Sequence, residues 1–438
     1  MAYSPADSVP RLVSIEPRNA MRGIRVSPII QAMILLMIVA NLGRIPVLSA
    51  EDRETPLLVN DLFVACVVAV GVVVSLRTRS LRLDSVALLA LAFAAVGGGS
   101  AILAVPRFGL GGFELLVSLA YLARWLLYFA IYVVVVNAIR IDDVGPVWNA
   151  AENMLLVFAA FGIIQAAFLP RFAQLVYPTS RPYYDWDIQG NRLVSTILEP
   201  NIAGAMLLIA FLVCLARLAT GAPVARWKLL LFFTALVLTL SRSSALGLIA
   251  GGLTILVARG LSKRMLRLVA GIAVLLGLVL PMLLTFAAQY NKLGVDASAM
   301  DRLVSWARAI RVLIDHPIIG IGFNTFGYVL ERYYGVERVG TASYSSDGGF
   351  LFIAVLTGVV GLAMYVSMMA IVLRRCRSIW RRAEVAPEQR GFAIGVAASL
   401  VAVCVHSMFV NSLLTVFVME LLWLQWGLVF VLAHSLRK

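Results

Sequence analysis

The sequence predicts an all-α polytopic membrane protein with about twelve transmembrane helices and both termini on the cytoplasmic side. Three observations carry this. Of 438 residues, 61% are hydrophobic and only 14% are charged, and mean hydropathy is +0.92. Apolar runs recur, many close to the roughly 20 residues that carry a helix across a bilayer. Basic residues gather on alternate connections between the runs, the asymmetry that orients membrane helices. The alternation expected of a transmembrane β-barrel is absent.

The spans fall near 28–48, 57–76, 83–105, 113–137, 147–168, 197–218, 227–241, 243–258, 268–288, 348–373, 391–409 and 413–434. Residues 1–27 are polar, and their following apolar run starts too late for a cleaved signal, so they read as a cytoplasmic tail. Connections on that same side carry Arg77, Arg79 and Arg82, then Arg217, Arg226 and Lys228, then the basic loop 374–390. The net charge of +14 is therefore a topology signal first, and not a nucleic-acid surface. Cys66, Cys214 and Cys404 fall in spans and Cys376 in a cytoplasmic loop, so no disulfide framework is implied. One integral domain, 28–436, is expected. No internal repeat is visible, which counts against a transporter built from two related halves.

Two connections on the external side are long, 169–196 and 289–347, and long patterned loops usually carry function. The second is partly helical. Ser298 followed by Asp301 reads as a capping box. Leu303, Trp306, Ala307, Ile310 and Ile314 share one face, with Asp301, Ser305, Arg308 and Asp315 opposite. Pro317 ends this helix, and Gly320 and Gly322 make the turn that follows. His316, at the helix end, can satisfy carbonyls there. Such a helix between spans lies most simply on the membrane surface.

Several external residues can carry chemistry. In "GNRLVSTILEPNIAGA", Pro200 suits a first helical turn after Glu199, and that N-terminus faces the external side, where an anion could sit. An ordinary cap is the plainer reading. Arg192 adds a cation nearby. In "TLSRSSALG" two apolar runs meet at Arg242 with almost no loop between them. Arg242 then snorkels to lipid phosphates or binds a phosphate held at the membrane surface. Arg302 sits in the first turn of the surface helix, where the helix dipole does not favour a cation, so an anion or a carboxylate partner is expected there. Asp347, before Gly348 and Gly349, either caps the next span or acts as general base. In "RPYYDWDIQG", Tyr183, Tyr184 and Trp186 beside two acids suit a sugar, or simply anchor the chain at the interface. Within the membrane, Arg124 and Glu420 are ionisable groups at compatible depths and are expected to form an ion pair. No two His stand at metal-ligand spacing, and no nucleotide-binding glycine loop is present. Neither a metal nor a cofactor is expected.

The run "RLVSWARAIRVLIDHPIIGIGFNTF" resembles the signature of the O-antigen ligase-like superfamily, which includes O-antigen ligases and O-antigen and exopolysaccharide polymerases. The residues that carry the likeness are Arg302, Trp306, His316, Pro317, Gly320, Gly322 and Phe326. Glu199-Pro200-Asn201 and the "SRSS" around Arg242 are similar to two further family segments in the same order. The resemblance spans about residues 185–362. It implies glycosyl transfer from an undecaprenyl-diphosphate-linked oligosaccharide or polysaccharide at the periplasmic face of the inner membrane, without a metal. It also implies a chain-length regulator and a flippase as pathway partners. Arg242 and Arg302 would grip the diphosphate, with Arg192 helping and Glu199, Asn201 and Trp306 lining the site. Ligases carry a His, usually followed by Asn, just before the tenth span. This chain has "SSDGGF" there. The departure puts Asp347 or Ser346 at that place and favours a polymerase over a ligase, with Asp347 activating or positioning the acceptor. A transporter of lipid-linked glycan is the alternative of another class.

Overall fold

The computed structural model describes residues 26–50, 53–77, 81–178, 191–260, 267, 297–336 and 346–437. The predicted ninth span, most of the N-terminal tail, and Tyr183, Tyr184 and Trp186 lie outside the described residues.

The chain begins with α1 (Val26–Leu36) and a 3₁₀ segment, Met37–Gly43. A short antiparallel hairpin follows, β1 (Arg44–Ala50) with β2 (Arg53–Leu58). This corrects the first predicted span, which ran to residue 48. Pro46 lies opposite Pro56 in the register. A proline has no N–H to donate to a helix, and paired prolines are tolerated on a two-stranded ribbon. The helices α2 (Val59–Arg77), α3 (Ser85–Phe108), α4 (Gly112–Ala138), α5 (Val144–Phe168), α6 (Phe172–Val176), α7 (Pro200–Ala219), α8 (Arg226–Leu238) and α9 (Arg242–Ala258) follow. Then come α10 (Ala297–Asp315), α11 (Phe326–Arg332), α12 (Gly349–Trp380), α13 (Pro387–His406) and α14 (Val416–Ser435). Among the described residues, seven helices are long and apolar enough to cross a membrane: α3, α4, α5, α7, α12, α13 and α14. The basic stretch expected as a loop from 374 is helical through Trp380. Its Arg-rich end simply extends α12 beyond its apolar part.

Close packing of α7, α9 and α13 fixes where the site forms. On α9, a Cβ added at Gly247 would lie 2.9 Å from the Ala402 carbonyl, and one at Gly251 would lie 3.1 Å from that of Ala398. On α13, Cβ atoms at Gly395 and Gly391 would each lie 2.6 Å from a Cα of α7, that of Val213 or Arg217. Both helices therefore carry a Gly-xxx-Gly pair facing a neighbour, the arrangement that lets membrane helices approach backbone to backbone. The antiparallel register brings the start of α9 level with the end of α13. The start of α7 lies at the same height.

Ion pairs tie the opposite end together. Arg217 bonds Glu152 at 2.6 Å and Glu388 at 2.5 Å, and Lys228 bonds Glu152 at 2.5 Å. Arg375 pairs with Asp84, which also accepts from the Tyr132 hydroxyl.

Candidate functional site

The turn between α8 and α9 is built from hydroxyls. Thr239 Oγ1 donates to the Leu236 carbonyl at 2.7 Å and accepts from the Ser241 N–H at 3.3 Å. Ser241 is the N-cap of α9, and its Oγ accepts from the Ser244 N–H and bonds the hydroxyls of Ser243 and Ser244. Leu240, between them, adopts φ +50°. Non-glycine residues rarely hold that region. Arg242 is thereby fixed as the first residue of α9, half-buried at the end of the bundle.

The segment before α7 is stapled to this turn. The Leu193 N–H donates to the Leu238 carbonyl at 2.9 Å, and Arg192 Nε donates to the Thr239 carbonyl at 2.9 Å. From α5, buried Gln165 holds the segment's other side. Its Oε1 accepts from the N–H groups of Val194 and Ser195, and its Nε2 donates to the Arg192 carbonyl. Glu199 is the N-cap of α7, with Pro200 at the first helical position. Its carboxylate accepts from the N–H groups of Asn201 at 3.1 Å and Ile202 at 2.5 Å, and from Asn201 Nδ2 at 2.9 Å. Arg192 Nη2 in turn donates to Asn201 Oδ1 at 3.3 Å. The cap reading of Glu199 therefore holds, and its oxygens are committed to the helix start.

Across from these lies α10, with Leu303, Ile310 and Ile314 exposed and Ser305, Ala309 and Val312 buried against the protein; Ser298 lies inside the helix and is not its cap. The helix starts at Ala297, so Arg302 falls in its second turn and not its first. The dipole argument for that position is correspondingly weaker. Trp306 turns inward, away from the exposed stripe it was grouped with. Its ring lies 6.1 Å from that of Phe409, and its Nε1 sits 3.3 Å from where a Cβ on Gly348 would be. Ser305 Oγ accepts from the Asp347 N–H at 3.1 Å, and the Gly349 N–H donates to the Ser407 carbonyl at 2.6 Å. The Asp347-Gly348-Gly349 turn is thus pinned between α10 and the end of α13. The N-cap of α12 is Gly348, at φ +102°, with no side-chain cap bond. Asp347 is not that cap.

His406, the last residue of α13, joins these parts. It lies near Arg302 and the main chain of Asn201. Its Nδ1 bonds Ser412 Oγ at 3.0 Å, and Ser412 Oγ bonds Ser407 Oγ at 2.5 Å. The structure therefore brings Arg192, Glu199, Asn201, Arg302, Trp306 and Asp347 to one end of the bundle, beside the hairpin that carries Arg242. Sequence reasoning missed Gln165 and His406. A polar residue within an apolar run was the available signal for both.

His316, Pro317, Gly320 and Gly322 shape a different part. After α10 the chain turns back into the bundle as an irregular segment of successive turns. It lies between α3 and a break in α12 at Gly358, where φ is +67° and ψ −174°. Four backbone bonds join segment and break: Ile321 N–H to Val355 O at 3.0 Å, Gly322 N–H to Leu356 O at 3.0 Å, Val359 N–H to Pro317 O at 2.8 Å, and Val360 N–H to Ile318 O at 3.3 Å. From α3, the Ser100 hydroxyl donates to the Ile319 carbonyl and the Gly97 carbonyl accepts from Phe323. Non-helical backbone survives at such depth only where protein groups satisfy it. His316 Nδ1 bonds Arg107 Nη2 at 2.6 Å, with the ring edge against Phe108. Burial and the Arg107 charge lower the His316 pKa, so the ring is neutral at pH 7 and accepts from the guanidinium.

The expected pairing of Arg124 with Glu420 is corrected. Arg124 bonds Asp61 at 2.8 Å, and Glu420 accepts from Asn60 Nδ2 at 2.7 Å. Tyr128 joins the two, donating to Asp61 and accepting from Asn60. The partner, Asp61, lies five residues into the second predicted span, in the first turn of α2.

Residues 227–366 match the family described as O-antigen ligase. The match runs from α8 through the first part of α12 and so includes Arg242, Arg302, the re-entrant segment and Asp347. No curated protein matches the chain.

Proposed function

We propose, from the match of residues 227–366 to the family described as O-antigen ligase, that this chain polymerises undecaprenyl-diphosphate-linked repeat units into a surface or exopolysaccharide. The work would take place at the periplasmic face of the inner membrane, in a twelve-span protein with both ends in the cytoplasm. The observation that carries the reading is the pinning of the Asp347 turn by Ser305, one helical turn from Arg302 on α10.

In this reading Arg242 and Arg302 hold the donor diphosphate, with Arg192 beside them. The bond between the anomeric carbon and the diphosphate oxygen breaks, and its electron pair leaves on the diphosphate. An acceptor hydroxyl oxygen forms the new bond to the anomeric carbon, and its proton passes to Asp347 and then to solvent. Guanidinium groups fit this task because they present a rigid fork of donors to phosphate oxygens. Donors already aimed at the developing charge need no reorganisation during reaction. Nothing in the step calls for a metal ion. Trp306 closes the floor under the Gly348 turn. Tyr183, Tyr184 and Trp186 would guide the glycan.

A strain lacking the protein tests the reading. Accumulation of single lipid-linked repeats is the expected result. Full-length lipid-linked chains that reach no terminal acceptor would instead mean a ligase. Purified protein should release undecaprenyl diphosphate from lipid-linked repeats, which pure transport would not do. Arg302→Ala should abolish polymer at wild-type expression, and Arg302→Lys should not restore it. Wild-type polymer from Arg302→Ala would sink the mechanism.

A further inference from the structure

We propose that a partly open cavity lined by α4, α12, α14, the loop that precedes α14 and the re-entrant segment, beside the Gly349 end of the Asp347 turn, binds a sugar ring of the acceptor. This rests on the transferase reading above and adds to it the place of the second substrate.

The cavity measures about 170 Å³. At roughly 30 Å³ for each water in the liquid, that is room for five or six waters or one monosaccharide. Its walls combine aromatic faces, from Trp125, Phe323 and Phe352, with polar groups from Arg124, Asn324 and Asn411. Two of those residues carry polar atoms that are buried and have no hydrogen-bond partner. Trp125 is 2% exposed, and its Nε1 lacks an acceptor. Asn411 Oδ1 lacks a donor. Buried polar groups left unmet are costly and point to something that meets them.

The chemistry of the walls selects the class of ligand. An unmet donor and an unmet acceptor suit hydroxyls, which both give and take hydrogen bonds. Aromatic faces beside them suit the C–H face of a sugar. Arg124 shares its charge with Asp61 at 2.8 Å, so this wall does not require an anion. A prenyl chain would leave the polar atoms unmet.

The position selects the role. Asn411 Oδ1 lies 3.5 Å from where a Cβ on Gly349 would sit, two residues beyond Asp347. Asn324 holds φ +55° at the end of the re-entrant segment, which turns its residue toward the lining that Phe323 also supplies. A sugar in the cavity would therefore lie on one side of the Asp347 turn, with the arginine cluster on the other. A transferase with two lipid-linked substrates needs this division.

Two variants test the site, Leu414→Phe, which fills the cavity, and Asn411→Leu, which removes its acceptor. The probe is the lipid-linked repeat extracted from a deletion strain. Its stoichiometry on the purified protein is read by native mass spectrometry, with polymer formation and melting temperature read in parallel. Wild type should carry two copies and each variant one. Polymer formation should fall at least tenfold, while the melting temperature of Asn411→Leu stays level or rises. Either variant binding two copies and polymerising at the wild-type rate would overturn the site and mark the cavity as water-filled. If Leu414→Phe loses its fold, Asn411→Leu decides alone. Wild type that binds no repeat would sink the transferase reading, and this site with it.

Discussion

Replacing Gly358 by Ala tests whether the break in α12 and the re-entrant segment are one structure. A backbone at φ +67° and ψ −174° lies in a region almost confined to glycine, and another residue there is strained by about 1–3 kcal/mol. The added Cβ would also lie 2.5 Å from Ile319 N and closer still to the Ile318 carbonyl. That segment cannot retreat, because its backbone is bonded on both sides. The alternative is for α12 to close into a continuous helix. Val355 O, Leu356 O and the N–H groups of Val359 and Val360 would then find helical partners. The Ile321 and Gly322 N–H groups and the Pro317 and Ile318 carbonyls would lose theirs. Four buried orphans at about 1–3 kcal/mol each exceed the strain of the first route. With about 1–3 kcal/mol more for the overpacking that the Cβ forces, the variant should therefore take the strained route and lose about 2–6 kcal/mol, a large share of a typical folding free energy. At roughly 2–4 °C per kcal/mol for a chain of more than 150 residues, the melting temperature in detergent should fall by about 10 °C. Gly252→Ala is the control. It lies within α9 with nothing inside 4 Å of an added Cβ, and should be neutral or stabilising by up to about 1 kcal/mol. Equal melting temperatures for Gly358→Ala and Gly252→Ala would refute the coupling.

Arg124→Gln should destabilise by about 3–5 kcal/mol because it leaves Asp61 buried without its counter-ion, and adding Asp61→Asn should recover most of that loss. No recovery in thermal melts of the double variant would show that the pair is not the unit. His316 has a lowered native pKa, so the unfolded chain binds the extra proton as pH falls below about 6.5, and stability present above that pH is lost below it. His316→Asn keeps an acceptor for Arg107 but cannot titrate. Its melting temperature between pH 7.5 and 5 should fall less than that of wild type, and parallel curves would count against the assignment. Gln165→Leu should release the Arg192–Ser195 segment and leave the Val194 and Ser195 N–H groups unmet, at about 2–4 kcal/mol. Unchanged protease resistance near residue 192 would contradict that.

The sequence made the helices legible because lipid imposes length and apolarity together. The helix of the second long connection was also legible, from its stripe and from Pro317. What it could not give was the direction of side chains that share one helical face. Leu303 and Trp306 are three residues apart and both apolar, yet one is exposed and the other faces the Gly348 turn. The choice depends on Phe409 and Gly348, which are distant in sequence. The same limit explains Arg124. Its partner had to be an intramembrane acid, and depth alone made Glu420 as good a candidate as Asp61. Pro46 and Pro56 were visible as helix breakers, but only their pairing across a hairpin makes the ribbon.

The Gly-x-Gly run illustrates a harder problem. Its glycines were read as a turn, which their positive φ values of +69° and +107° bear out. A surface turn would need only that freedom. Gly320 also lies so close to α12 that a Cβ would stand 2.6 Å from the Leu356 carbonyl carbon, and one on Gly322 would stand 2.7 Å from the Ala101 Cα of α3. Both positions thus need glycine twice, for conformation and for close contact, Gly320 with α12 and Gly322 with α3. The segment is held at bundle depth by backbone bonds to a helix that breaks to make them. That arrangement fixes α10 relative to α12 at the latter's buried end. It therefore sets how α10, which carries Arg302, sits against the Asp347 turn at the head of α12, where Ser305 Oγ accepts from the Asp347 N–H. A loop free to move on the surface could carry the same two residues, but it could not hold them in register.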